Sequence, residues 1–448
     1  MNDSSKLPNS LWRDPTLQAI PVSVRLLTDR QFEEHQDKLM SFLARSLDAR
    51  NKPEELLELQ AEMASFLLGA QGEQKRLEAE LGESAVADRG HHDSPGVVVE
   101  VCKRLQGIVR QIADGIAWRT LRYDRPMLRI LALKPPTGHM ELASAKTEFI
   151  AAADVVETGE LVVVNDLTNF LRYGDLTSVG EDGVTIIEVT GGPGAAKSGR
   201  KSRQKRKTEN VLEFIRRGFQ ETDNGPQKIV DLKTEPVAHL DELRTIISEA
   251  WKRGAAQARV SDSLAVFAFD TIQMSELRAK GTNFSALVRD PFEQSKESLT
   301  FDSLKHFGRF THNVAPYSIF RLAYEDRFAI MTGRLWVVSS FNFGNLYRCL
   351  RRRDLLVIPP REEGYAELEG LFPGEVAARE LENPLVVSRG PPHPVLKIPM
   401  SMLARLFYEL MDEESFADAV EEQLDLAGQE DVATFIQSGY RAEAQLWD

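Results

Sequence analysis

The chain has 448 residues, too many for one ordinary core, so about two or three domains are expected. Its 42% hydrophobic and 27% charged residues exclude the disordered and fibrous classes, and only two cysteines, Cys102 and Cys349, exclude a disulfide framework. A net charge of −13 excludes a surface that coats nucleic acid everywhere. The start, MNDSSKLPNSLWRDP, lacks the basic and apolar regions of a signal peptide, and no run approaches the ~18 apolar residues of a membrane span. A cytoplasmic protein with no membrane partner is the expectation.

Residues 1–90 form a helical N-terminal region. Phe32, Leu39, Phe42, Leu43 and Leu47 recur at helical spacing, and Pro53 opens a second helix with Leu56, Leu59, Met63, Phe66 and Leu67 as its stripe. After a polar linker, a long helix is predicted from Val97 to about Leu121. Val101, Leu105, Ile108, Ile112 and Ile116 form one face of it, with Gln111, Asp114 and Trp118 on another. Strand signals then begin with LVVV at 161–164. Phe170–Val179 and Val184–Thr190 read as two strands joined by the turn GEDG. A basic helix follows, then a strand at 228–232 (KIVDL), a helix at 239–254 and an apolar strand at 264–269 (LAVFAF). That alternation predicts a layered α/β domain over 95–272 with a central mixed sheet flanked by helices. Residues 273–448 form a further C-terminal α/β region. RFAIMTGRLWVVSSF and RDLLVIP carry buried or strand segments there, SMLARLFYELM is an amphipathic helix, and the acidic tail is helical.

Charge is unevenly placed. KSGRKSRQKRK, from Lys197 to Lys207, holds seven cations and no anion, and the preceding stretch from Glu141 to Glu188 is rich in acids. The informative segment between them is RYGDLTSVGEDGVTIIEVTGG, residues 172–192. Asp175 sits early in one strand, and Glu188 lies thirteen residues later near the end of an apolar one. A hairpin of that spacing brings both carboxylates to one end of a sheet. Two carboxylates with a main-chain carbonyl make a hard, all-oxygen site suited to Mg²⁺ or Mn²⁺, able to polarise a phosphate and acidify an attacking water.

Gly-Asp, then an acid at the end of an apolar strand, then a basic helix resembles the PD-(D/E)xK, or restriction-endonuclease-like, nuclease superfamily. The resemblance spans about 95–272 and is specific over roughly 170–215. It implies a nuclease-like core hydrolysing nucleic-acid phosphodiesters, DNA in preference to RNA. Asp175 and Glu188 would be the catalytic metal-binding acids, with the carbonyl of Val189 as a further ligand. Asp114 on a preceding helix would be an assisting metal ligand, with Glu141 and Glu148 as alternatives. Arg200, Arg203, Gln204, Lys205 and Lys207 would contact nucleic-acid phosphate. The sequence departs from the family at Thr190, which occupies the place of the motif lysine. A lysine there would stabilise charge in the transition state. Lys197 or Lys201 would have to reach back as the relocated catalytic residue, or the fold serves only as a nucleic-acid- or protein-binding module.

A P-loop-type NTPase is the competing expectation. GGPGAAKS at 191–198 approaches the phosphate-cradling loop, and LAVFAFD ends at Asp270 in the manner of an Mg²⁺-binding strand. Two features oppose it. The Cβ of Ala196 crowds the conformation that the loop's last glycine permits, and SGRKSRQKRKTE has no large apolar residue with which to pack on a sheet.

Overall fold

The computed structural model describes residues 30–81, 95–132, 142–171, 173–189, 198–222, 225–280, 291–292, 298–302, 314–359, 385–390, 395–428, 435–440 and 443–447. The protein is a mixed α/β chain with small sheets. It divides into two compact units, one of Asp29–Glu235, Thr311–Phe320 and Gln429–Asp448, the other of Met1–Thr28, Pro236–Phe310 and Arg321–Gly428. The division therefore falls near 235 and is crossed by the chain more than once, unlike the consecutive 1–90, 95–272 and 273–448 read from the sequence. Among the described residues, no helix is long and apolar enough to cross a membrane.

The first unit opens with helices α1 (Arg30–Asp48), α2 (Pro53–Leu81) and α3 (Pro95–Thr120). Both predicted stripes are mostly interior: Phe32, Leu39, Phe42 and Leu43 on α1, and Leu56, Leu59, Met63 and Leu67 on α2, are buried. On α3 burial extends beyond one stripe. Val101, Leu105, Ile108, Ile112 and Ile116 are buried, and so are Gln111, Asp114 and Trp118. The cause is that α1, α2 and the strand that follows at 161 all pack against α3, which makes it the unit's central helix. Each apolar side chain removed from water there contributes roughly 1.5–3 kcal/mol.

Helix α4 (Arg125–Leu131) is capped by Asp124, whose carboxylate accepts from the Met127 amide. Helix α5 (Leu142–Val156) then leads into three strands, β1 (Leu161–Val164), β2 (Leu176–Gly180) and β3 (Gly183–Ile187). They form an antiparallel meander in that order. The predicted hairpin exists, but its strands are shorter than 170–179 and 184–190. Gly174, at φ +70°, and the hydrogen bonds of Asn165 hold the segment before Asp175 as a turn rather than as strand. The basic helix α6 (Ser198–Arg217) follows, then β4 (Phe219–Thr222) and β5 (Gly225–Leu232). The chain's last strand, β13 (Phe435–Tyr440), pairs parallel to β5.

In the second unit, α7 (Leu240–Arg253) ends at Gly254 in the left-handed conformation and packs on β6 (Ala255–Arg259) and β7 (Leu264–Asp270). With β8 (Ser298–Asp302) and β9 (Leu335–Asn342) these strands make an antiparallel sheet in the order β6-β7-β9-β8. RFAIMT, read as strand or buried segment, belongs to helix α9 (Tyr324–Thr332), and Gly333 separates it from β9. Helix α8 (Thr271–Ala279), helix α10 (Phe343–Arg351), an antiparallel sheet of β10 (Leu356–Ile358), β11 (Leu385–Ser388) and β12 (Val395–Ile398), and helices α11 (Met400–Tyr408) and α12 (Glu413–Gly428) complete it. Among the described residues there are four small sheets, and the strands of 95–272 are shared among three of them, not gathered into one central mixed sheet. The one that mixes parallel and antiparallel pairing is β13-β5-β4, not the meander.

Candidate functional site

The register of the meander decides where its acids meet. Val164, the last residue of β1, pairs with Leu176, the first of β2, and Leu176 pairs with Ile187, the last of β3. All three strands therefore share one end. The residues just past it are Asn165 and Asp166 after β1, Asp175 before β2 and Glu188 after β3. The hairpin puts Asp175 and Glu188 at this common end, as the sequence spacing predicts, and β1 adds Asp166.

Backbone and side-chain bonds fix this end. The Asp175 amide donates to the Ile187 carbonyl, and the Asn165 amide donates to the Asp175 carbonyl, both at 2.9 Å. Asn165, buried, donates through Nδ2 to the carbonyls of Tyr173 and Gly174 and accepts from Thr177 Oγ1 at 2.9 Å. The Asp175 carboxylate accepts from the Val189 amide at 2.6 Å, so the chain leaving β3 is tied to the acid entering β2. Gly174 is required here. A Cβ on it would run into Ile186 Cγ2 and lie 2.9 Å from the Ile187 carbonyl oxygen, besides straining a positive φ. On the outer edge of the sheet, Gln60 of α2 completes β1. Its Nε2 donates to the Val162 carbonyl at 2.8 Å, and its Oε1 accepts from the Val164 amide at 2.9 Å.

Helix α5 supplies the fourth acid, Glu148, only 3% exposed. Burial raises its pKa, and the charges of Asp166 and Asp175 raise it further, to about 7 against a hydrogen bond from Ser144 that opposes the shift. Its Oε2 is buried with no hydrogen-bond partner. Burial also raises the Asp175 pKa, opposed by the Val189 amide and reinforced by Glu188 and Asp166. The charges of Asp166 and Asp175 thus act on Glu148, and those of Glu188 and Asp166 act on Asp175, which marks the four carboxylates as neighbours at this end. An unpartnered buried oxygen among mutually repelling acids suits a hard cation.

Asp114 and Asp270 fall elsewhere. Asp114 on α3 is fully buried and accepts from the Asn169 amide and from Asn169 Nδ2, both at 2.7 Å. It caps the loop after β1, and the acid that α-helical structure brings to the cluster is Glu148, the alternative. Arg110, one turn earlier, donates to the carbonyls of Asp166 and Thr168 and steadies the same loop. Lys197, Thr190 and Glu141 lie outside the described residues, as does the GGPGAAK segment. Arg200, Lys201, Arg203, Gln204, Lys205 and Lys207 lie on the first half of α6, and their side chains are outside the described part. Asp270 ends β7 in the other unit. It accepts from the Ile272 and Gln273 amides at the start of α8 and pairs with Arg334 at 2.9 Å. Since β7 is antiparallel to both neighbours and its acid is occupied as a helix cap, the phosphate-loop reading gains no support from that strand.

Asp166 escaped the sequence reading because it lies past β1, outside the motif, in a loop whose course is set by Asn165 and Thr168. Three ligand atoms lying mutually within 4.8 Å occur, among the described residues, at His239, Asp412 and Glu413 of the second unit. Nothing in the sequence connects those positions. No three of the meander acids bring ligand atoms that close together. Compared with protein-family models, curated proteins and solved structures, the chain matches none.

Proposed function

We propose that the first unit is a restriction-endonuclease-like nuclease core and that the protein hydrolyses nucleic-acid phosphodiesters, DNA in preference to RNA, in the cytoplasm. The observation that carries this reading is the convergence of Glu148, Asp166, Asp175 and Glu188 at one end of the meander. Asp175 and Glu188 would hold Mg²⁺ or Mn²⁺, with the Val189 carbonyl as neighbour and Glu148 on the preceding helix assisting. Such an ion supplies Lewis-acid polarisation of a phosphoryl oxygen and lowers the pKa of its water. The residues' own contribution is positional. The Val189 amide holds one oxygen of Asp175, which ties the acid entering β2 to the chain leaving β3. In the metal-free protein burial and the neighbouring acids hold the Glu148 pKa at about 7, so a cation bound there would compete with its proton.

The chain then enters α6, whose first half carries Arg200, Lys201, Arg203, Gln204, Lys205 and Lys207, and Arg206 beside them is exposed. Phosphate contacts of that kind give affinity that falls steeply with salt. The motif position at Thr190 favours a second reading, in which the same fold binds nucleic acid without cutting it. Cleavage of plasmid and single-stranded DNA in Mg²⁺ or Mn²⁺, with Asp175→Ala and Glu188→Ala beside wild type, separates the two. Cutting by wild type alone supports the nuclease and leaves Lys197 and Lys201 to be tested as the relocated lysine. Salt-sensitive binding without cutting would transfer the reading to the binding module. Absence of both would refute it.

A further inference from the structure

The second unit contains a polar cluster with no part in the nuclease reading. Residues 237–239 run antiparallel to 410–412. The Asp412 amide donates to the Val237 carbonyl and the His239 amide to the Leu410 carbonyl, both at 2.9 Å, and Ala238 bridges Met411. This pairing sets His239, at the threshold of α7, against Asp412 and Glu413, at the threshold of α12.

Each of the three residues is partly engaged and has an atom left over. Asp412 Oδ1 accepts from the Glu414 and Ser415 amides at 3.0 and 2.9 Å, capping α12, while Oδ2 faces His239 Nε2 at 3.5 Å. Glu413 is 5% exposed. Its Oε1 accepts from the Ser263 amide at 3.0 Å, while its Oε2 is buried with no hydrogen-bond partner. His239 Nε2 makes no well-formed hydrogen bond, and Nδ1 lies 3.7 Å from Glu242 Oε1; burial lowers the imidazole pKa, but Asp412, Glu242 and Glu413 together raise it, so a cation there would compete with a proton. One ligand atom from each residue lies within 4.8 Å of the other two.

We infer that His239, Asp412 and Glu413 form a binding site for a divalent transition-metal ion of the Zn²⁺ type. The 3.5 Å between His239 Nε2 and Asp412 Oδ2 exceeds the usual hydrogen-bond length but matches an edge of a tetrahedron. Ligands about 2.0–2.1 Å from a central Zn²⁺ stand roughly 3.3–3.4 Å apart. An imidazole with two carboxylates favours a transition ion over Mg²⁺ or Ca²⁺, and three protein ligands leave a fourth position for water or a small ligand. Glu242, 3.7 Å from Nδ1, adds a negative charge on the other side of the ring. The His239 and Asp412 side chains retain 13% and 23% exposure, which gives the ion an entry path. Bound there, it would clamp the start of α7 to the start of α12. This site is separate from the meander acids and stands whether or not those acids support catalysis.

The test is a Zn²⁺ titration of the full chain, stripped with chelator, for wild type, His239→Ala, Glu413→Gln and the double variant Asp175→Asn/Glu188→Gln. The expected result is one Zn²⁺ per wild-type chain. Affinity should fall at least ~100-fold in His239→Ala and Glu413→Gln and be retained in the double variant. Zn²⁺ should also raise the melting temperature of wild type but not of His239→Ala. Glu413→Gln keeps an oxygen for the Ser263 amide, so it reads the site even if His239→Ala does not fold. Absence of stoichiometric binding by wild type would overturn the inference. So would wild-type affinity in both single variants, or loss of the Zn²⁺ in the double variant instead.

Discussion

Replacing Glu148 by glutamine isolates the electrostatic cost of the carboxylate cluster. In the folded, metal-free protein its pKa is about 7, against 4.5 for a free glutamate, because of burial and the charges of Asp166 and Asp175. The linkage has a definite sign. Below pH ~4.5 the group is protonated in both folded and unfolded chains, and the fold bears no cost. As pH rises toward 7 the unfolded chain ionises first, and folding loses free energy. Above 7 the loss is complete, up to about 3 kcal/mol at ~1.4 kcal/mol for each pH unit between the two pKa values. Glutamine cannot ionise, so Glu148→Gln should gain on wild type by up to about 3 kcal/mol between pH 4.5 and pH 8. Taking the difference between the two pH values cancels changes in packing that do not depend on pH. Hydrogen exchange of the α5 and β1–β3 amides in EDTA reports the local opening free energy. A variant-minus-wild-type difference that stays the same at both pH values would refute the coupling of Glu148 to Asp166 and Asp175.

Gly174→Ala should destabilise the first unit by at least ~2 kcal/mol in denaturant melts and weaken Mn²⁺ binding, because the Ile187 carbonyl and Ile186 leave no room for a Cβ. Asp114→Asn should cost about 1–3 kcal/mol by weakening two hydrogen bonds from Asn169, yet leave Mn²⁺ affinity within about threefold of wild type in calorimetry. A large loss of metal in that variant would return Asp114 to the site. Gln60→Ala leaves the Val162 carbonyl and Val164 amide without their partner, and should cost roughly 2–4 kcal/mol with faster exchange in β1.

How much could be read from the sequence differs between the two units. Periodicity located α1, α2 and α3 with their buried faces, since Leu39, Leu56 and Ile108 mark stripes that any helix would bury. The thirteen-residue spacing of Asp175 and Glu188 placed both at one end of a hairpin, because antiparallel register is a local property. Glu148 was visible only as one of several acids on preceding helices. Choosing it over Asp114 needs the packing of α5 beside the meander and the Asn169 loop that occupies Asp114. Asp166 was invisible, because its position depends on the turn organised by Asn165 and Thr168. The strand β13 and the cluster of His239, Asp412 and Glu413 arise from contacts between distant segments, on which period and composition carry no information. The segment RFAIMT misled in a simpler way. Its apolar run is as compatible with a buried helix as with a strand, and only the left-handed Gly333 marks the boundary.

Whether the meander acids hold a metal is tested most directly by Mn²⁺ binding, counted by electron paramagnetic resonance in a His239→Ala background that disables the cluster of His239, Asp412 and Glu413. Mn²⁺ should bind to the wild-type acids and be lost in Asp175→Asn/Glu188→Gln. Binding should also strengthen as pH rises through about 7, where Glu148 releases its proton. Mn²⁺ binding that is absent, or that persists unchanged when both acids are neutralised, would mean that Asp175 and Glu188 hold no metal.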